Sequence, residues 1–278
     1  MNHLTLNRPS PGLANLGVYD PPWLHAANDA LWAAIRARLA ARGRRDVPAG
    51  LERARALRAI WHDPALLVGQ TCGYPLMTEL GEAVTVIGAP VYGLPGCEGA
   101  RHCSFIVVRE DAPFERLEDL RGCRVAMNGP DSNTGMNLLR HAIAPLAREG
   151  RFFGAVLTSG GHLLSLESVQ GGATDVAAID CVTFGLAARH RPDLVAGLRV
   201  LARTAAGPTL PFITCGGARP EEAEELRQAI NEALARAQDD PLLAGLALTR
   251  VEPADPADYE VLLRYEADAV AMGYPALA

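Results

Sequence analysis

The sequence predicts an α/β fold, because three short apolar runs are each followed by polar residues and then by a helical pattern. The runs are Arg124–Met127, Ala155–Thr158 and Asp175–Asp180, and their lengths fit buried strands. The chain has 278 residues, of which 49% are hydrophobic, which is enough for two lobes with their own cores. In open α/β sheets ligands bind beyond the carboxyl ends of the strands, so all three junctions are candidates for function.

The elements before and after these runs predict one lobe that is interrupted by another. In chain order we expect a strand at Leu16–Tyr19, a helix at Trp23–Arg42, strands at Leu66–Gln70, Ala83–Pro90, Cys103–Arg109 and Thr209–Cys215, and helices at Pro220–Ala237, Pro241–Leu246 and Pro256–Met272. Residues 1–110 and 207–278 should then form a discontinuous lobe 1, with residues 111–206 as an inserted lobe 2. We expect each lobe to be a sheet flanked by helices, with a cleft between the lobes that closes about a hinge.

The first junction places small residues where a helix begins, namely Ser132, Asn133, Thr134 and Gly135. The first amides of a helix lack intrahelical acceptors, and the helix dipole adds positive potential at the same place. Such an end binds anions, although these residues also suit an ordinary helix cap. The neighbouring junctions favour the anion site.

His162 and Asp180 stand at the other two junctions. His162 follows the pair Gly160–Gly161, and Asp180 is the last residue of its strand. We expect both to lie at the same sheet edge as the first junction. A histidine donates a hydrogen bond to an anion, more strongly when it is protonated. An aspartate repels an anion, so Asp180 should either accept a proton from the ligand or orient His162.

Composition excludes several classes of function. The net charge of -6 argues against a nucleic-acid surface, and no apolar run reaches the roughly 18 residues that cross a bilayer. All 26 basic residues are arginine, which excludes Schiff-base and P-loop lysine chemistry. The six cysteines show no metal-ligand spacing. We therefore expect no metal, no cofactor, no nucleic acid and no membrane insertion.

The first twenty residues show no secretory signal pattern. The expected location of the chain as it stands is the cytoplasm, or the periplasm if an export segment has been removed. Cys97 and Cys103 share one loop and could pair in an oxidising compartment, whereas scattered thiols suit a reducing one. The sequence leaves this pairing open.

The order of these motifs resembles the solute-binding proteins of phosphonate, phosphite and phosphate ABC transporters. The resemblance rests on NGPDSNTG before a helix, TSGGH before a helix, and DVAAID before Cys-Val-Thr, and it extends from Leu16 to Thr214. It implies a two-lobe type II periplasmic-binding-protein fold, in which a helix N-terminus rich in Ser and Thr holds an oxyanion. The matching positions here are Ser132, Asn133 and Thr134 for the anion, with His162 and Asp180 beside them. Asn133 departs from the family's hydroxyl-rich run, which leaves the identity of the anion open.

Lobe 1 should add contacts from the ends of its own strands. The candidates are Tyr19, Gln70, Thr71 and Tyr74. Tyr19 and Tyr74 are favoured because a tyrosine offers both an apolar wall and a hydroxyl donor. Tyr92 has the same chemistry but fits a core or rim position better.

The sequence therefore predicts non-covalent binding of a small oxyanion that resembles phosphonate, phosphate or phosphite. The chain would serve as the solute-binding component of an ABC uptake system, with a permease as partner, or as a cytoplasmic relative of one. Three alternatives remain. The first is an enzyme on the same fold that acts on a small carboxylate or phosphorylated metabolite, with His162 and Asp180 as an acid–base pair. The others are a sulfonate binder and a cytoplasmic sensor.

Overall fold

The computed structural model describes residues 12–235 and 240–278, and these form two compact units. Unit 1 consists of the described residues of Met1–Gly93 and Thr209–Asp258, and unit 2 consists of Leu94–Pro208 and Tyr259–Ala278. The chain therefore passes between the units three times. Each unit contains one five-stranded sheet.

The α-helices are numbered in chain order. They are α1 (His25–Ala41), α2 (Leu57–Trp61), α3 (Gly73–Pro75), α4 (Leu138–Ile143), α5 (His162–Gln170), α6 (Cys181–His190), α7 (Pro220–Leu234), α8 (Pro241–Gly245) and α9 (Glu260–Ala271). Three short turns also matter below. They are a 3₁₀ turn at Gly17–Tyr19, a π turn at Asn133–Asn137 directly before α4, and a 3₁₀ turn at Pro256–Tyr259 directly before α9.

The strands are numbered in the same way. They are β1 (Leu13–Ala14), β2 (Leu66–Gln70), β3 (Val84–Tyr92), β4 (Arg101–His102), β5 (Ser104–Arg109), β6 (Arg124–Met127), β7 (Ala155–Thr158), β8 (Val176–Asp180), β9 (Leu198–Arg203), β10 (Gly207–Pro208), β11 (Phe212–Cys215) and β12 (Leu248–Glu252). Strands β4 and β10 form a separate two-stranded antiparallel ribbon.

Unit 1 has the strand order β1-β2-β11-β3-β12. Strand β11 pairs antiparallel with both β2 and β3, so Phe212 lies opposite Gln70 on one side and Gly88 on the other. Strand β2 is buried along its whole length, as a central strand covered on both faces should be. Helices α1 and α7 pack against each other, and α1 buries Trp32, Ile35 and Leu39.

Unit 2 has the strand order β7-β6-β8-β5-β9. Strands β6, β7 and β8 are parallel, while β5 runs antiparallel to β8. The carboxyl ends of β6, β7 and β8 therefore share one edge with the amino end of β5. Side chains of β5, β6, β8 and α4 form a buried apolar core that includes Ile106, Val125, Val176 and Leu139. This core fixes the positions of all four strand ends.

Most predicted elements of the middle of the chain are confirmed, but the first predicted strand is wrong. Residues Leu16–Tyr19 were expected to be extended, whereas Gly17–Tyr19 is a 3₁₀ turn and the strand lies earlier, at β1. The Asn15 side chain accepts a hydrogen bond from the Gly17 amide at 2.9 Å, and this local bond turns the chain out of the sheet. Strands β9 and β12 were not predicted. The helix predicted at Pro220–Ala237 is observed to Leu234, and residues 236–237 lie outside the described part.

The unit boundaries differ from the expected lobe boundaries at three places, of which the smallest is residues 207–208, expected in lobe 1 but part of unit 2. Residues 94–110 belong to unit 2 rather than to lobe 1, because β5 is an inner strand of the unit 2 sheet. Residues 259–278 also belong to unit 2, where α9 packs on α4 and Tyr274 is fully buried in the core. The sequence of a strand or of an amphipathic helix does not tell which sheet it packs on. The unit to which β5 and α9 belong could therefore not be predicted without knowing their neighbours in the fold. Residues 1–11 of the expected lobe 1 lie outside the described part.

Candidate functional site

The helix at the first junction begins with a π turn. Ser132 is the N-cap, and its hydroxyl accepts a hydrogen bond from the Gly135 amide at 2.9 Å. The Asn137 amide donates to the Ser132 carbonyl at 3.0 Å, five residues back. This spacing makes the first turn wider than an α-helical turn, a distortion that is frequent at functional sites. The turn continues directly into α4.

Two of the four amides predicted to bind an anion are already used inside the protein. The Ser132 amide donates to the Gly129 carbonyl at 3.2 Å, and the Gly135 amide donates to the Ser132 hydroxyl. For the amides of Asn133 and Thr134, no acceptor is recorded within residues 12–235 and 240–278. Of the four predicted donors, the amides of Asn133 and Thr134 are therefore the two that remain available, and their binding of an anion stays a prediction. Both residues are buried, at 1% and 3% exposure.

Gly135 is the position that lets this turn pack closely. A Cβ atom at residue 135 would lie 1.6 Å from the Asn128 side-chain oxygen and 3.1 Å from the Ser132 hydroxyl. No partner is recorded for that Asn128 oxygen in the described residues. Glycine is therefore required because of a neighbouring side chain rather than because of its own backbone angles.

The closeness of Gly135 to the Asn128 side chain predicts that shortening Asn128 restores the stability lost when Gly135 is replaced by alanine. Gly135→Ala should destabilise the protein by about 1–3 kcal/mol, the usual cost of overpacking. Asn128→Ala should by itself have little effect, because it removes an oxygen without a recorded partner. In the double variant Asn128→Ala/Gly135→Ala most of the lost stability should return. Urea unfolding of the four proteins measures the coupling, and additive losses would show that the contact is not the cause.

Thr134 connects the helix start to the second junction. Its hydroxyl oxygen lies 2.9 Å from Nε2 of His162, and its carbonyl accepts a hydrogen bond from the Ser104 hydroxyl at 2.7 Å. Ser104 lies opposite Asp180 in the register of β5 and β8. The structure thus brings together the predicted residues of all three junctions at one edge of the unit 2 sheet.

Asp180 is the buried acid of this edge, with 1% exposure. One carboxylate oxygen accepts the Thr183 amide at 2.8 Å and so caps α6. The other lies 2.9 Å from Nδ1 of His102, which is fully buried. Sequence reasoning missed two residues of this cluster, His102 and Ser104. Their spacing of two residues, which puts both side chains on the same side of an extended chain, is the signal that could have found them.

Electrostatics keeps Asp180 ionised and His162 neutral. Burial raises the pKa of Asp180, but the charge and hydrogen bond of His102, with further help from His162, lower it below the ordinary value. Burial lowers the pKa of His162, and the attraction of Asp180 opposes this only in part. At neutral pH the site therefore holds an acceptor carboxylate beside an uncharged imidazole.

The lowered pKa of His162 predicts how stability depends on pH. In the unfolded chain this histidine titrates near 6.5, so below that pH the unfolded state binds more protons than the folded state. The free energy of unfolding should therefore fall as pH drops below about 6.5, until the folded-state pKa is passed. The contribution of Asp180 is lost only at still lower pH, below its own ordinary value of 3.8.

His162→Gln should remove this part of the pH dependence, since glutamine keeps a polar partner for Thr134 without titrating. Urea unfolding at about pH 7.5 and about pH 5.5 brackets the ordinary histidine pKa. His25→Gln, at the start of α1 in unit 1, is the matched control and should lose stability with pH as the native protein does. An equal loss in the His162 variant would contradict the assignment.

In unit 1, direct contacts join Gln70 to Tyr92 and Tyr92 to Tyr19 near the end of β2. The rings of Tyr19 and Tyr92 meet edge to face, with centroids 5.6 Å apart. The Gln70 amide nitrogen lies 3.3 Å from the Tyr92 hydroxyl and 3.0 Å from the Leu210 carbonyl, to which it donates. The Thr71 hydroxyl donates to the Cys72 carbonyl at 3.3 Å, and Tyr74 is buried within α3. Ligand contacts from these residues stay a prediction.

Unit 1 also contains a cavity of about 810 Å³ that holds none of the predicted ligand residues. Apolar side chains of β3 and of the turn after α3 line much of it, together with Glu224 and Arg227, which pair with each other. We do not place the oxyanion site there, because its one arginine is already neutralised by a carboxylate.

Within the described residues, no group of three or more His, Cys, Asp or Glu side chains is arranged to hold a metal ion. Of the helices in that part, none has the length and apolar character needed to span a membrane. All six cysteines are free thiols. The recorded sulfur contact of Cys97 is with Cys181 at 3.6 Å, not with Cys103.

The fold and the polar edge define an α/β protein of two units, with polar side chains gathered at the strand ends of the unit 2 sheet. A family model described as the periplasmic phosphonate substrate-binding protein of ABC transporters matches residues 70–259, about two thirds of the chain. The chain belongs to this family, and the resemblance inferred from the motifs is confirmed. None of the curated proteins matches it in sequence.

Several solved structures are similar over nearly the whole chain. The binding-protein component of an ABC phosphonate transporter from Pseudomonas aeruginosa (PA3383) is 16% identical, with a TM-score of 0.74 and coverage of 96% of this chain and 88% of that one. PhnD1 from Prochlorococcus marinus, in complex with methylphosphonate, is 14% identical, with a TM-score of 0.68 and coverages of 92% and 97%. XAC2383 from Xanthomonas citri, bound to ATP, is 19% identical, with a TM-score of 0.65 and coverages of 95% and 98%. These likenesses confirm the predicted type II periplasmic-binding-protein fold.

Proposed function

We propose that the protein binds a small phosphonate, or an oxyanion of the same shape, without forming a covalent bond to it. The observation that carries this proposal is the pair of Asn133 and Thr134 amides at the helix start, next to the contact between Thr134 and His162. Amides that point along the helix dipole stabilise a negative oxygen without adding a mobile charge. Family membership supports the same ligand class.

The buried carboxylate of Asp180 sets which oxyanion is preferred. An ionised Asp180 accepts a hydrogen bond and repels an oxygen that has no hydrogen to offer. A phosphonate monoanion carries one P–OH group and can satisfy it, whereas a sulfonate cannot. Asp180 also accepts the Thr183 amide and contacts His102, so the discrimination comes from charge repulsion of a sulfonate and from the hydrogen bond that a sulfonate cannot donate. We therefore propose a phosphonate in its monoanionic form rather than a sulfonate.

We infer binding rather than catalysis, although His162 and Asp180 could serve as an acid–base pair in an enzyme. Asp180 is committed to the Thr183 amide and to His102, and His162 is committed to Thr134. These contacts hold both side chains in place and suit recognition. Mass spectrometry of a phosphonate incubated with the protein should show unchanged starting material, and a product would favour the enzyme.

The cellular role follows from the family, whose members are periplasmic components of ABC transporters. We propose that this protein works in the periplasm and delivers its ligand to a membrane permease. Fractionation of the source cells tests this directly. Recovery in the cytoplasm would favour the cytoplasmic relative or sensor instead.

Calorimetric titration with methylphosphonate and methanesulfonate tests the proposed ligand class. The two compounds have similar shapes but differ in the acidic hydrogen that Asp180 requires. We expect methylphosphonate to bind at least about 100-fold more tightly, because it donates a charge-assisted hydrogen bond to the carboxylate whereas methanesulfonate is repelled by it. Equal affinities would reject the phosphonate assignment, and binding of neither compound would reject the oxyanion site.

A further inference from the structure

Three cysteines of unit 2 lie near the start of α6. Cys181 is the first residue of that helix and is fully buried, Cys103 is 5% exposed, and Cys97 is partly exposed in the loop before β4. The sulfur atoms of Cys97 and Cys181 are 3.6 Å apart although the residues are 84 positions apart in the chain. Cys181 directly follows Asp180 in the chain, but none of the three cysteines is a residue that we assign to the ligand.

The backbone holds the Cys97 loop against α6. Gly96, with φ of 88°, is so close that an added Cβ would lie 2.8 Å from the Cys181 Cβ and 2.8 Å from the Phe105 ring. The Cys97 amide donates to the Leu94 carbonyl at 3.1 Å, which closes the turn that carries the thiol. A side chain at position 96 would push the loop away, so glycine here keeps the two sulfurs within reach of each other.

We propose that Cys97 and Cys181 are a disulfide site, oxidised by exchange with a small-molecule or protein disulfide. A disulfide bond is about 2.05 Å long, so the two sulfurs must approach by about 1.5 Å. Rotation of the Cys97 side chain in its surface turn supplies this movement, while Cys181 stays fixed in the helix. Cys103 is the competing partner, because its thiol also hydrogen-bonds to Cys181.

With oxidised glutathione as the oxidant, the thiol–disulfide exchange has two steps. The Cys97 thiol is the accessible one; as a thiolate it attacks the glutathione disulfide and releases one glutathione thiolate, which takes up the proton that Cys97 lost. The Cys181 thiol then loses its proton, attacks the Cys97 sulfur of the mixed disulfide and releases the second glutathione. Two protein thiols are oxidised to one disulfide, and one glutathione disulfide is reduced to two thiols.

The buried thiols explain why Cys97 reacts first. The hydrogen bond to Cys181, followed by burial, raises the pKa of Cys103. For Cys181, a hydrogen bond with Cys103 lowers the pKa, but the bond to Cys97 and burial outweigh it and raise the pKa overall. Both buried groups therefore stay as thiols, and the nucleophile is the thiolate form.

The disulfide should stabilise unit 2, because it closes a long loop in the unfolded chain. For a protein of this size we expect the melting temperature of the oxidised form to exceed that of the reduced form by about 5 °C. The experiment equilibrates the folded full chain with oxidised or reduced glutathione. It then counts free thiols, maps the linked peptides by mass spectrometry and measures melting.

In the native protein the free thiols should fall from six to four on oxidation, with Cys97 and Cys181 in one linked peptide pair. Cys97→Ser and Cys181→Ser should keep all their remaining thiols and lose the rise in melting temperature. Cys123→Ser, which replaces a partly exposed cysteine elsewhere in unit 2, should behave as the native protein does. A link between Cys103 and Cys181, or no link at all in folded oxidised protein, would overturn the proposal.

Discussion

Replacing Asp180 by asparagine should reduce the preference for methylphosphonate over methanesulfonate by about 100-fold. Asparagine keeps the shape of the side chain and is as good a helix cap as aspartate, so the bond to the Thr183 amide can persist. The variant removes the negative charge and presents an amide donor. A phosphonate loses its charged acceptor, while a sulfonate loses a repulsion and gains a partner.

Two titrations of each protein measure this change, one with each ligand. Asp175→Asn is the matched control, because Asp175 immediately precedes β8, at the opposite end from Asp180, and is paired with Arg124 at the surface. It carries the same change in charge and should leave the ratio of affinities unaltered. An Asp180 variant that melts normally but keeps the native ratio would show that this carboxylate does not face the ligand.

Replacing Asn133 by aspartate should lower the affinity for methylphosphonate by at least about 100-fold. The side-chain oxygen of Asn133 accepts a hydrogen bond from the side-chain nitrogen (Nδ2) of Asn137 at 3.2 Å, and aspartate can accept the same bond. The new carboxylate would lie beside the two amides that we assign to the ligand. The carboxylate would be attracted by the positive end of the helix dipole in place of the ligand, and its charge would repel an anionic ligand.

Gln228→Glu supplies the control for this change in charge. Gln228 is exposed on α7 in unit 1, and its variant alters the net charge by the same amount without touching the helix start. Its affinity should stay within about 3-fold of the native value, since exposed charges are screened by salt over a Debye length. If both variants lose affinity equally, the effect comes from overall charge and the helix start is not the site.

The parts of the fold that could be predicted are those in which the local pattern of apolar and polar residues indicates which residues are buried. Strands β6, β7 and β8 are short apolar runs between turn residues, and their predicted ends agree with the structure within one residue. Ser132 was expected at the start of a helix, where small hydroxyl residues suit a cap as well as an anion site, and it is the N-cap. These features depend on neighbours in the chain, so the sequence alone contains them.

The features that could not be predicted depend on partners far away in the chain. Strand β9 is half exposed and β12 carries Arg250 and Glu252, so neither shows the apolar pattern of a buried strand. His102 becomes part of the site only because β5 pairs with β8 in a register that sets Ser104 opposite Asp180. The close packing of Gly135 against the Asn128 side chain, within the π turn, likewise has no signal in the sequence.

A crystal structure of the protein with methylphosphonate tests the central claim most directly. The account predicts phosphonate oxygens within about 3 Å of the amide nitrogens of Asn133 and Thr134, with the P–OH group directed at Asp180. A phosphonate bound elsewhere, with both amides donating to acceptors of the protein itself, would contradict it.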